Sequence, residues 1–311
     1  MHRFRSHRAF RFAACVLCIA STLTLALAGC AKTPTVPTQD ATGQGQPGAG
    51  APATENASQP ADDGSVTDAT PAAEPVTLKL YFPRGETLGV VTREVPATKA
   101  VATAALKELL NGTTDTDALY GFHTEIPKKT SLRSVTVKNK IATVDLTDAF
   151  DDGGGSLSMM MRVAQVVYTL TQFSTVQSVV FEMNGKPVEA LGGEGIILDH
   201  PQKRSDWADM LPPIFVETPA AGATAKSPLR ITGSANVFEA TFQAEVRDAS
   251  GKVLAKKTVT ASAGTGTRGT FDVSIPFTSP RQEMGSLVVF EYSAKDGKPI
   301  NNVSIPIKLT P

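Results

Sequence analysis

The sequence predicts an α+β fold that gives way to an all-β sandwich, and three observations carry that prediction. Apolar residues recur at helical spacing in only two stretches, around residues 97–112 and 156–173, each set among short alternating runs. Beyond about residue 213 the helical period vanishes, and seven alternating segments follow one another to the end. Residues 31–75 have no aromatic side chain and almost nothing bulky and apolar, so no core can form there. The expected organisation is 1–29, 30–75, 76–191, 192–212 and 213–311.

The first folded stretch opens with "VTLKLYF", where Val76, Leu78, Leu80 and Phe82 alternate with polar neighbours as in a half-buried strand. "LGVVTREV" reads as a second strand after a turn at Pro83–Gly85. "ATKAVATAALKELLNG" then places Val101, Ala105, Leu106, Leu109 and Leu110 on one helical face, with Asn111-Gly112 as its stop. A Thr- and Asp-rich loop follows. "SLRSVTVKNKIATVDLTDAF" predicts two strands turning across Lys138–Lys140, with Asn139 supplying the turn.

After "DDGGG", Ser156 is expected to cap a second helix whose buried stripe is Met160, Val163, Ala164, Val167 and Leu170. The methionine run reads as core packing rather than as a soft binding groove. "TVQSVVFEM" returns as a strand and Asn184-Gly185 turns the chain, so the order is ββαββαβ. The junction "LGGEGIILDHPQKRSDWADML" holds the only tryptophan, Trp207, expected to pack against a domain rather than face water. In the last third, "IFVETP", "SPLRITGSA", "FEATFQAEVRD", "GKVLAKKTVTAS", "GTFDVSIPF", "SLVVFEYSA" and "NNVSIPIKLT" supply the sandwich strands.

The amino terminus has a different character. Arg3, Arg5, Arg8 and Arg11 precede an uncharged apolar stretch from Ala13 to Ala28, the layout of a secretory signal. That stretch is shorter than the roughly 20 residues of a membrane-spanning helix. Cys15 and Cys18 lie within it; their Cys-x-x-Cys spacing is one used by redox and zinc sites, but in this apolar core neither zinc nor a disulfide partner could be held, and the thiols act as small hydrophobes. Leu27-Ala28-Gly29-Cys30 resembles the lipobox of bacterial lipoproteins. That resemblance implies cleavage before Cys30 and acyl chains on it, hence a membrane partner through lipid at the extracytoplasmic face. Each buried CH₂ contributes about 0.8 kcal/mol, so two or three chains hold firmly where one is marginal. Residues 31–75 would then be a disordered tether, with a reach of roughly 35–40 Å as a flexible coil.

Removal of residues 1–29 leaves 26 Lys and Arg against 30 Asp and Glu, with no like-charged block. Nucleic-acid binding needs a basic stripe, and the sequence has none.

Several residues invite chemistry. Asp145, Asp148, Asp151 and Asp152 in "DLTDAFDDGGG" suggest calcium, but the spacing is not that of an EF-hand and the closing Glu is missing. Helix-entry turn chemistry is the expectation there. His123 and Glu125 lie two apart, with His200 the other histidine available to complete a metal set, so a surface loop His is expected. "GGEG" at residues 192–195 opens no helix that could cradle phosphate. No Gly-x-Ser-x-Gly elbow is present. Nothing singles out a carboxylate pair for glycan cleavage. No catalytic residue, cofactor or metal ligand is assigned.

The stretch 76–190 resembles the GerMN domain of sporulation and spore-germination proteins, through "LYFP", "ALKELLNG", "TEIPKKTSLRSVTVKNKIATVDLTDAF", "GGGS" and "VAQVVYTLTQFSTVQSVVFEMNGKPV". Residues 213–309 resemble the immunoglobulin-like domain found beside it, through "SPLRITGSANVFEATFQAEVRDASGKVL", "GTFDVSIPF" and "EYSAKDGK". The resemblance implies an envelope component outside the cytoplasmic membrane, and no catalytic residues are established for the domain. The expected function is a non-enzymatic, lipid-anchored envelope protein that binds protein or peptidoglycan partners, with edge strands as docking surfaces. A peptidoglycan-modifying hydrolase and a solute-binding lipoprotein of a transporter are the alternatives. Partner identity and oligomeric state stay open.

Overall fold

The computed structural model describes residues 74–192 and 195–311. Strands β1 (Val76–Arg84) and β2 (Thr87–Val95) pair antiparallel across a turn at Gly85, whose φ of +67° suits a residue without Cβ. Helix α1 (Val101–Leu110) buries Ala105, Leu106 and Leu109, and it ends at Asn111 with Gly112 at φ +81°. The Thr/Asp loop contains a helix that the pattern did not predict, α2 (Asp115–Leu119). It is held by a capping box. Thr114 Oγ1 accepts from Asp117 N at 3.2 Å, and Asp117 Oδ2 accepts from Thr114 N at 2.8 Å.

Strands β3 (Leu132–Lys138) and β4 (Ile141–Leu146) form the expected hairpin. Asn139 and Lys140 both take positive φ, 51° and 64°, the requirement of a two-residue type I′ turn. Helix α3 (Ser156–Leu170) then crosses over to β5 (Ser178–Met183), which pairs parallel with β4. Asn184-Gly185 leads into β6 (Lys186–Pro187), giving a sheet in the order β3-β4-β5-β6. A minimal hairpin of β7 (Ala190–Leu191) and β8 (Ile196–Ile197) follows.

Helix α3 differs from expectation in two ways. Ser156 is its first helical residue, not its cap; the N-cap is Gly155, which is extended. The reversal at Gly153 and Gly154, with φ of +57° and +90°, leaves Gly155 as the residue that enters the helix. The helix is also buried on nearly every side rather than along one stripe. Met159 and Met161 are inside with Val163, Ala164, Val167 and Leu170, and Met160 is the half-exposed member. A crossover helix walled in by β1, α1 and the residues after β8 has no free face beyond its first turn, which the polar Arg162, Gln165 and Thr169 concealed in the sequence. Arg162 is satisfied by Glu125 O, Phe150 O and Gly153 O at 2.8, 2.8 and 2.6 Å.

The junction packs onto this first module. Gln202 pairs with Val179 through two backbone bonds of 2.8 and 2.9 Å, and a 3-10 segment spans Arg204–Met210. Trp207 is buried within the module's core and donates Nε1–H to Gln202 Oε1 at 3.2 Å.

The seven expected sandwich strands are all present. They are β9 (Ile214–Thr218), β11 (Leu229–Ala235), β12 (Thr241–Arg247), β13 (Val253–Thr260), β14 (Gly269–Ile275), β15 (Glu283–Tyr292) and β16 (Pro299–Leu309). A two-residue strand, β10 (Thr224–Ala225), adds parallel to β16. Sheets in the order β14-β11-β9 and β10-β16-β15-β12-β13 enclose a second core that includes Ile231, Phe242, Val246, Phe271 and Ile307. Gly233 sits at a register shift between β9 and β11, where an added Cβ would lie 2.0 Å from Phe215 O; only glycine allows that approach.

The described residues all belong to one compact unit. The first core does not stop at the junction, since it runs on into Leu211, Phe215 and Ala220 of the sandwich side.

Candidate functional site

Five residues from four separate stretches of sequence meet where β1, α3, the 3-10 segment and β9 converge. Tyr81 comes from β1, Tyr168 and Thr171 from the end of α3, Arg204 from the junction and Glu217 from β9. The Arg204 guanidinium lies 5.2 Å from the Tyr81 ring centre and 4.9 Å from that of Tyr168. Its Nε donates to Thr171 Oγ1 at 2.8 Å, and its Nη2 donates to Tyr81 Oη at 2.9 Å and Tyr168 O at 3.1 Å. Both Glu217 oxygens lie 3.4 Å from Nη1. Tyr81 in turn donates its hydroxyl to Glu217 at 2.5 Å, and Lys79 reaches the same carboxylate at 3.4 Å. Phe215 completes the cluster, with its ring centre 6.2 Å from Tyr81 and 6.4 Å from Tyr168.

The electrostatics follow from this geometry. Burial pushes the Glu217 carboxyl up, but the Arg204 charge, the Tyr81 hydroxyl and Lys79 outweigh it and hold the group below its ordinary value. Burial raises the Tyr168 hydroxyl to about 12, and Tyr81 moves further in the same direction for the same reason. Both hydroxyls therefore stay protonated at physiological pH and donate, Tyr81 to Glu217 and Tyr168 to Arg204 O. The cluster is a polar lock between the first module and the sandwich.

Beside the lock a cleft of about 510 Å³ opens between the 3-10 segment and the loop at residues 266–268. Tyr168, Leu211, Phe215, Arg204, Glu217 and Arg268 line it. Arg268 donates Nη2–H to Pro212 O at 3.0 Å and reaches Ser234 O and Oγ from Nη1 at 3.4 Å.

The residues singled out in the sequence lie elsewhere. Asp145 accepts from Arg133 Nε and Gly185 N, each at 3.0 Å, while Asp151 accepts from Gly192 N at 2.6 Å. Those carboxylates tie the hairpins to the loop rather than converge on a common point. His123 Nε2 pairs with Glu125 at 3.2 Å, whereas His200 lies between Asp199 at 2.8 Å and Asp206 at 3.5 Å. Among the described residues no group of three or more His, Cys, Asp or Glu could hold a metal. In "GGEG", Gly192 and Gly195 take positive φ in the β7–β8 turn, and Gly193 and Glu194 fall outside the described residues. Cys15, Cys18, Cys30 and the segment to residue 73 also fall outside them. No helix among the described residues is long and apolar enough to cross a membrane.

The lock residues and Arg268 escaped sequence reading because positions 81, 168, 171, 204, 217 and 268 form no known motif. A signal for α2 was available, since Thr114-x-x-Asp117 is a capping-box pattern.

A helix-containing α/β module locked to a two-sheet sandwich defines a two-module protein with a cleft of mixed character at the junction. The modules are of known kinds. Residues 79–189 match the model of the Germane (GerMN) family, described as "Sporulation and spore germination". Residues 213–298 match the model of the Gmad2 family, described as "Immunoglobulin-like domain of bacterial spore germination". Among solved structures the chain is similar to the tandem GerMN domains of the sporulation protein GerM from Bacillus subtilis. The identity is 15% and the TM-score 0.40, over 76% of this chain and 61% of that one. It is also similar to the first GerMN domain of the same protein, at 24% identity and a TM-score of 0.34, over 42% of this chain and 99% of that one. No curated protein matches the chain significantly.

Proposed function

We propose that the protein is a non-enzymatic, lipid-anchored envelope protein that binds protein or peptidoglycan partners outside the cytoplasmic membrane, in sporulation or spore germination. The observation that carries this reading is the pairing of two germination-family domains through the Tyr81–Arg204–Glu217 lock, which leaves a preformed cleft and free sheet edges. Strands β3 and β13 are each paired on one side only, and exposed Val137 and Val253 lie on them. Arg133 and Lys138 on β3, and Lys256 and Lys257 on β13, guard those edges against self-association yet leave them open to a specific strand. The Leu27–Cys30 motif supports the anchor, and the composition of residues 31–75 supports a tether.

Metabolic labelling with a fatty acid, followed by cell fractionation, tests the anchor. The wild type should take up label and sediment with membranes, and Cys30→Ala should do neither. Label on the Cys30→Ala protein would overturn the anchored reading. A photo-reactive residue in place of Val137 tests the binding reading. Cross-links to an envelope component in intact cells are expected, and recovery of uncross-linked protein alone would count against it.

A further inference from the structure

Arg204 and Arg268 both line the junction cleft, but only one of them has its charge answered. Arg204 has Glu217 and two tyrosine rings. Arg268 is half-buried, and among the described residues it has no ion-pair partner; its acceptors are the Pro212 carbonyl and the oxygens of Ser234. Asp209 attracts it from beyond ion-pair distance. Burial accordingly works to lower the Arg268 pKa without a carboxylate in contact to offset it. A guanidinium carries five N–H donors in a planar fork, and among the described residues the acceptors meet only Nη1 and Nη2, not Nε–H. Glu217, the carboxylate in the same lining, is taken by Arg204, so the Arg268 fork is suited to an anion brought by a ligand.

The rest of the lining says which anion. Leu211, Phe215 and Tyr168 give an apolar wall beside the fork, so the ligand should combine one carboxylate with a small apolar body. A single unanswered cation is too little for a phosphate group, which draws clusters of them. The volume of about 510 Å³ falls in the range of small-ligand pockets and fits two or three small residues. We propose that the junction cleft binds the free carboxylate end of a short peptide with small apolar terminal residues, and that Arg268 is its anchor. This rests on the binding-protein reading above and names the ligand class for its cleft.

The test is isothermal titration of the full-length protein in detergent with N-acetyl-alanyl-alanine, in its D,D and L,L forms, beside the matching C-terminal amides. The acid should bind and the amide should bind at least about tenfold more weakly, because a charge-assisted fork is lost. Arg268→Gln should lose about the same factor with its melting temperature little changed. Arg268→Lys, which keeps the charge but not the fork, should fall between them. Arg230→Gln, on the exposed face of the sandwich, should leave binding intact. Preference for the D,D form would point to a wall peptide and preference for the L,L form to a protein terminus; either supports the proposal. No binding of either acid, equal binding of acid and amide, or inorganic phosphate binding as tightly as the peptide would each overturn it. The acid–amide comparison needs only the wild type, so it stands if a variant fails to fold. Membrane labelling and cross-links at Val137 would survive such a failure, which separates it from failure of the envelope reading.

Discussion

Arg204 is held by groups from three separate stretches of chain, and its substitution should be felt in all of them. Arg204→Ala removes the donors to Thr171 and Tyr81 and leaves Glu217 with Lys79 and the Tyr81 hydroxyl. A cost of about 2–4 kcal/mol is expected in urea unfolding, the range for breaking a largely buried, hydrogen-bonded pair. Glu217 also sets an acid response. Its folded pKa lies below its ordinary 4.5, so its contribution is complete above that value and is lost as pH falls through the folded value. Asp117 adds a contribution of the same sign; burial opposes it, and Arg93 and Thr114 overcome that. Wild-type stability should therefore decline as pH falls below about 4.5, and Glu217→Gln should show a shallower decline over the same window. Parallel slopes for the two proteins would contradict the role given to Glu217. None of this was legible in the sequence, where Glu217 reads as an ordinary polar position of a strand and Arg204 as one charge in a polar junction.

Elements with local chemistry were legible, and elements shaped by their surroundings were not. Asn139 and Asn184 announced their hairpins because the positive φ of such turns suits Asn. Asn111-Gly112 announced the end of α1 for a similar reason. Helix α3 was harder, because a stripe is the signature of a helix with a solvent face, and this one is enclosed. Its buried polar residues make connections that periodicity cannot encode. Gln165 accepts from Glu125 N at 3.0 Å and donates to Thr124 at 3.1 Å, and Arg162 holds the loop before the helix. Arg162→Met would leave three carbonyls without that donor, that of Phe150 buried, at about 2–4 kcal/mol, and should make residues 148–155 a protease-sensitive loop. Limited proteolysis checks this directly. In the sandwich, Gly233→Ala would force β9 away from β11 and should destabilise by about 1–3 kcal/mol, the usual range for overpacking.

At the scale of the molecule, the change of pattern near residue 213 was the clearest message in the sequence, and it coincides with the start of the Gmad2 match. What pattern could not convey is how much of the first core is supplied from the far side of that boundary. Phe215 and Ala220 belong to it, Ala221 N donates to Val90 O at 3.0 Å, and Arg84 donates to Ser304 O at 2.5 Å. Trp207 packs inside the first core, so Trp207→Ala should cost that core about 3–5 kcal/mol rather than merely loosen the junction. Division at residues 211 and 212 should leave a sandwich fragment that unfolds cooperatively around its own core. The fragment 74–211 should melt lower, because Tyr81 and Tyr168 would lose Phe215 and Glu217. The central structural claim is that the two domains are locked into one body through Tyr81, Arg204 and Glu217. Scanning calorimetry of residues 74–311 tests it most directly. One transition whose calorimetric and van't Hoff enthalpies agree is expected, split into two by Arg204→Ala. Two transitions in the wild type, at the temperatures of the isolated fragments, would contradict it.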